Sequence, residues 1–103
     1  MDMEKMKSVL ESSGLPVAYL SFPDGDAPPL PFVCYYSTDT NPLFADASTF
    51  YTTTAVIVEL YTQFKAPDVE KKLESVLRSY HWKKSETYID TERCYMITYD
   101  IEV

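Results

Sequence analysis

The sequence predicts an α+β domain in which a mostly antiparallel, mixed sheet of about four or five strands carries two helices on one face. Three stretches predict it. From Thr52 the run TTTAVIVELYTQF alternates with period two, placing Val56, Val58, Leu60 and Phe64 on one side and Glu59, Tyr61 and Gln63 on the other. Directly after it, PDVEKKLESVLRSY repeats apolar residues at Val69, Leu73, Val76, Leu77 and Tyr80, a single helical stripe. At the end, WKKSETYI and ERCYMITYDIEV alternate on either side of Asp90-Thr91, the pattern of a β-hairpin with a two-residue turn. The 103 residues suffice for one core and one domain spanning 1–103, with no repeat and no linker.

From the N-terminus, Asp2 to Ser13 reads as a short amphipathic helix with Met3, Met6 and Leu10 on one face. Gly14 supplies a left-handed C-terminal cap, and Pro16 prevents continuation. Leu15 to Phe22 suits a short edge strand. Pro23 to Pro31 contains four prolines, one glycine and two aspartates, which leaves only a loop, expected to be mobile. A strand from Pro31 to Tyr36 follows, entered through proline as a first strand position allows. Ser37 to Tyr51 is polar and turn-rich, yet it carries Leu43, Phe44, Phe50 and Tyr51. Fifteen residues without a period are long for a loop in a compact domain; aromatic-bearing loops of this kind commonly order against a partner, the alternative being that Phe44 and Phe50 tuck back into the core.

The long strand then passes into the second helix at Pro67, a first helical position where the missing N–H costs nothing. Asp68 and Glu70 bring negative charge to the first turn, where the helix dipole favours it. Asp68–Lys72 and Glu74–Arg78 stand four apart, as outer-face pairs do. In the closing strand Tyr95, Ile97, Tyr99, Ile101 and Val103 share one face, while Met96, Thr98, Asp100 and Glu102 share the other. The predicted order is α-β-β-β-α-β-β.

Charge is laid out unevenly. The net charge is −7, and between Ser8 and Phe64 there is no Lys or Arg against six acids. Seven of the nine basic residues lie between Lys65 and Arg93. A surface that grips phosphates needs clustered cations, so the first half does not bind nucleic acid by charge. The separation instead lets an acidic surface of one copy face a basic surface of another. Cys34 and Cys94 fall within strand patterns and read as buried thiols of a reducing compartment. No apolar run approaches the length of a membrane span, and the N-terminal MDMEKMKSVL lacks the apolar core of a secretion signal.

Residue by residue, the search for chemistry returns nothing. His81 is the only histidine; placed after Tyr80, it suits the C-terminal dipole of the second helix. One His and two strand-bound Cys cannot complete a metal site, and no CxxC or HExxH spacing occurs. Asp100 and Glu102 share a strand face at about 7 Å by strand rise, a spacing that surface acids commonly show. Two glycines in the whole chain exclude a Gly-rich phosphate loop. The expectation is no enzyme, no catalytic residue, no cofactor and no metal.

The run APPLPFVCYY, the aromatic-bearing loop, AVIVELYTQFKAPDVEKKLESVL and the closing YIDTERCYMITYDIEV resemble small tail proteins of long-tailed bacteriophages. The nearest group is the tail terminator or tail completion family of siphovirus-type phages and prophages, and the resemblance runs from about Leu15 to Val103. It implies a structural protein whose copies form a ring, a hexamer in the family, at the head-proximal end of the tail tube. The ring stops tube polymerisation and joins the tail to the head connector. The implied partners are therefore further copies, the tail-tube protein and the head–tail connector proteins, with DNA as passing cargo and no membrane. Assembly would take place in the host cytoplasm and end in the virion. Within such a ring, Leu43, Phe44, Phe50 and Tyr51 are expected at a subunit or tube contact. The basic residues Arg78, Lys83 and Lys84, with His81, are expected to face acids of a neighbouring copy. Two alternatives accompany this reading: a head-completion (stopper) ring of the connector, and an acidic monomeric inhibitor that mimics DNA.

Overall fold

A computed structural model describes residues 3–22, 27–37 and 55–102. Its elements follow the predicted order: α1 (Met3–Glu11), β1 (Val17–Tyr19), β2 (Phe32–Ser37), β3 (Ala55–Thr62), α2 (Pro67–Val76), β4 (His81–Ile89) and β5 (Cys94–Glu102). The five strands form one sheet in the order β1-β2-β3-β5-β4. All neighbours are antiparallel except β1 and β2, which run parallel with Val17 opposite Val33. The sheet is thus mixed and mostly antiparallel, with the short β1 at one edge and the nine-residue β4 at the other.

Register assigns the faces. Val33 and Tyr35 of β2, Val56, Val58 and Leu60 of β3, and Ile97, Tyr99 and Ile101 of β5 are all buried on one side. Met6 and Leu10 of α1 and Leu73 with Leu77 at α2 close over them. Each such aliphatic side chain contributes roughly 1.5–3 kcal/mol when fully buried, which makes this side the seat of folding stability. Helix α1 ends where Gly14 turns to φ +85°, a conformation a side chain resists. There the Gly14 N–H donates to the Glu11 carbonyl at 3.0 Å.

Four expectations are corrected. Phe64 does not join the core: β3 stops at Thr62, which takes the last inward position at 2 % exposure and leaves Phe64 at 73 %. The hairpin turn spans four residues, because Ile89 pairs with Cys94 and β5 begins there. Arg93 closes that turn at φ 52°, and the Arg93 N–H reaches the Asp90 carbonyl at 3.3 Å. Helix α2 ends at Val76, so Tyr80 packs on the core from the following turn, and His81 opens β4 away from the helix dipole. Glu74 turns to Lys84 of β4 and not to Arg78.

Candidate assembly surfaces

The basic residues expected at a contact have different environments. Lys84 alternates onto the helix side of β4, where its Nζ lies 2.6 Å from Glu70 Oε1 and 2.7 Å from Glu74 Oε2. Lys65 closes the other flank, with Nζ 2.8 Å from Glu70 Oε2 and a second contact to Glu86. The Lys65 approach to Glu70 is a charge contact without the alignment of a hydrogen bond. Tyr99 completes the group by donating its hydroxyl to Glu74 Oε2 at 2.7 Å. Two lysines and three glutamates thereby tie α2 and the connection before it to strand β4.

Glu70 is the centre of this cluster and only 3 % exposed. Burial alone would raise its carboxyl pKa; the ammonium groups of Lys65 and Lys84 close against it outweigh burial and hold it below the ordinary value. Burial opposes the charged form of Lys84, but bonds to Glu70 and Glu74 raise its pKa overall. Burial pushes the Tyr99 hydroxyl pKa up, and the bond it donates to Glu74 adds to the rise. Sequence reading assigned Glu70 only to the helix dipole. The available signal was its spacing, since Glu70, Leu73 and Leu77 recur at helical intervals along one face.

The opposite face of the sheet is built differently. It presents Phe32, Cys34 and Tyr36 of β2, Ile57, Glu59 and Tyr61 of β3, and Cys94, Met96, Thr98 and Asp100 of β5. Among the described residues no helix packs on it; Phe32, Tyr36, Ile57, Tyr61 and Met96 remain half-buried. Aromatic rings run across it, from Phe22 to Phe32 at 5.0 Å and on to Tyr61 at 5.3 Å. The Tyr61 hydroxyl donates to Glu59 Oε1 at 2.8 Å. Cys34 lies beneath at 3 % exposure, its thiol pushed up to about 11 by burial and then by the charge of Glu59. Such a thiol is a poor nucleophile. Cys94 is likewise free, buried and raised.

Lys83 belongs to this second face, opposite Asp100 in the register. A concavity of about 530 Å³ surrounds it, lined by Ala55, His81, Trp82, Lys83, Asp100, Ile101 and Glu102. It lies at the end of the sheet where β3 begins with Ala55 paired to Glu102. Arg78 is exposed in the turn after α2. The expected contacts Leu43, Phe44, Phe50 and Tyr51 lie outside the described residues. Lys83, His81, Asp100 and Glu102 are brought together at one end of the sheet, whereas Lys84 is engaged within the molecule. Among the described residues no three His, Cys, Asp or Glu side chains group to hold a metal ion, and no helix is long and apolar enough to cross a membrane.

Comparison with protein-family models and with curated proteins finds no match to this chain. Its chemistry is therefore read from the arrangement itself: a charge clamp centred on the buried Glu70, a half-exposed aromatic face, and charged side chains around a shallow concavity.

Proposed function

We propose that this chain is a virion assembly protein, similar to the tail terminators of long-tailed bacteriophages. In this reading its copies form a ring on the head-proximal end of the tail tube, end tube growth and join the tail to the head connector. One observation carries the proposal: the sheet face away from α1 and α2 keeps aromatic and aliphatic side chains half-exposed across three adjacent strands. A face of that composition, rimmed by Lys83, His81, Asp100 and Glu102, suits contact with other protein chains. Its carboxylates Glu59 and Asp100 are interleaved with Ile57, Tyr61 and Met96, a poor imitation of the evenly charged surface of DNA.

The test is direct. Light scattering after gel filtration, with negative-stain images, should show rings of this protein at tube ends once tail-tube protein of the same gene cluster is added. A strict monomer in that mixture overturns the proposal. Lys83→Glu should weaken assembly while lowering the melting temperature only slightly, because Lys83 is exposed and outside the charge clamp and loses only its cross-strand partner Asp100. Lys84→Glu is a poor probe, since it would disrupt Glu70 and Glu74 first.

A further inference from the structure

Among the described residues the large apolar side chains left most exposed are Tyr19 (50 %), Leu20 (59 %), Phe64 (73 %) and Tyr88 (47 %). They are not scattered. Tyr19 and Leu20 sit on and just after β1, at one edge of the sheet. Tyr88 belongs to β4, at the opposite edge, and Phe64 lies beside it where β3 has ended. Phe64, Tyr88, Tyr95, Gln63 and Arg93 enclose a groove of about 430 Å³. Tyr88 and Tyr95 line it with their rings edge to face at 5.0 Å.

The β1 side is shaped as a knob. Leu20 has φ 67°, and the Ser21 N–H donates to the Tyr19 carbonyl at 2.8 Å, so the chain makes a three-residue turn with Leu20 at its tip. A leucine at positive φ is strained, and such strain persists where neighbouring bonds hold it; here the Leu20 N–H also donates to the Tyr35 carbonyl at 2.8 Å. The bond from Ser21 occupies the Tyr19 carbonyl and blunts this edge for strand pairing. Lys83, Lys84 and Glu86 blunt the β4 edge. The two edges are therefore suited to side-chain docking, not to a continuous sheet.

Charge agrees. Arg93 is the one charged side chain among the described residues lining the groove. The β1 edge belongs to the stretch without any Lys or Arg, and Glu11 stands close enough to raise the Tyr35 hydroxyl, behind burial and together with Tyr19. Tyr35 in turn touches Tyr19 at 5.3 Å between ring centres.

We infer that the two edges are halves of one head-to-tail contact between copies of this chain: Leu20 and Tyr19 of one copy enter the Phe64–Tyr88–Tyr95 groove of the next, with Arg93 facing Glu11. The inference rests on the proposal that copies of this chain assemble, and it names the surfaces that do so. Knob and groove lie on different sides of one molecule, so each copy can hold two neighbours, as a closed ring requires.

The experiment pairs two single variants, Leu20→Cys and Tyr88→Cys, with a short bis-maleimide. Both native thiols are buried, so the unmodified protein is a clean control. Each variant alone should give almost no cross-linked dimer, and the mixture should give about tenfold more, with and without tail-tube protein. Cross-linking of Tyr88→Cys with itself would show a two-fold contact and overturn the inference, as would no cross-link in the mixture under either condition. Leu20→Asp and Tyr88→Asp should each weaken association about tenfold or more, and together should still form a heterodimer through the one intact contact. Rings at tube ends without the cross-link would keep the terminator proposal and discard this contact. Cross-linked copies that neither close nor bind tubes would do the reverse.

Discussion

The two faces of the sheet use similar residues for different ends. On the helix side, Val58, Leu60, Tyr99 and Ile101 are sealed under α1 and α2, and the charges admitted there are paired with one another. On the other side, Ile57, Tyr61 and Met96 stand in alternate positions of the same strands and remain half-exposed. One face is held by closure; the other keeps apolar surface that folding has not consumed. Apolar surface retained in that way is available for association.

Substitutions at neighbouring positions can break that contrast. Val58→Asp puts an unpaired charge in the sealed face and should cost about 4 kcal/mol or more, a large part of the stability of a domain this size. Ile57→Lys, one residue along and on the other face, brings a charge opposite Asp100 and should cost about 1 kcal/mol or less. Urea unfolding followed by circular dichroism measures both, and equal losses would abolish the distinction.

The charge clamp offers the next largest effect. Glu70→Ala should destabilise by about 1–3 kcal/mol at neutral pH, because Lys84 and Lys65 lose the carboxylate they share. The sign with pH follows from the lowered native pKa of Glu70. Its contribution is fully present above the ordinary value of 4.5 and is lost as pH falls through the lower native value. Melting temperatures of parent and variant should therefore converge on acidification below that point. A gap that persists in acid would show the loss to be one of packing and not of charge.

A finer comparison uses the same chemistry on both faces. Tyr99→Phe removes a hydroxyl bonded to Glu74 inside the clamp and should cost about 1–2 kcal/mol. Tyr61→Phe removes a hydroxyl bonded to Glu59 on the open face and should cost about 0.5 kcal/mol. Calorimetry resolves the pair, and a reversal of the order would mean that the aromatic face is as firmly structured as the core. Smallest of all is the thiol effect: native Cys34 and Cys94 should resist maleimide for hours at neutral pH and label at once in denaturant.

Much of the fold was legible in the sequence because its elements carry the period of their own geometry. Val56, Val58 and Leu60 alternate, Leu73 and Leu77 recur at helical spacing, and Gly14 and Pro67 mark helix ends through backbone chemistry that acts locally. Phe64 misled for a physical reason: alternation continues in a sequence after the strand has stopped, and only the partner strands decide where pairing ends. The hairpin turn was misplaced likewise, since Glu92 could alternate as a strand residue until Ile89 paired with Cys94.

Of the candidate contacts, Arg78, Lys83 and Lys84 were one basic run in the sequence. Alternation along β4 separates Lys83 from Lys84, and the glutamates of α2 then take Lys84 into the clamp around Glu70. Glu70 escaped notice because a charge on an apolar stripe is intelligible only once its two lysines, from a loop and a distant strand, are in place. Tyr19, Leu20, Phe64 and Tyr88 are ordinary apolar residues in their own stretches.

By itself, then, the sequence determined the α+β class, the order of the elements, the core side of the central strand and the uneven spread of charge, all properties set within a few residues of one another. Tertiary structure alone decided that β1 pairs parallel with β2, that β4 and β1 are the opposite edges, and that among the described residues the helices cover one face and not the other. Those outcomes depend on which distant strands compete for the same hydrogen bonds and on where helices find room to close the core. A periodicity records the side a residue prefers; only packing determines what it meets there.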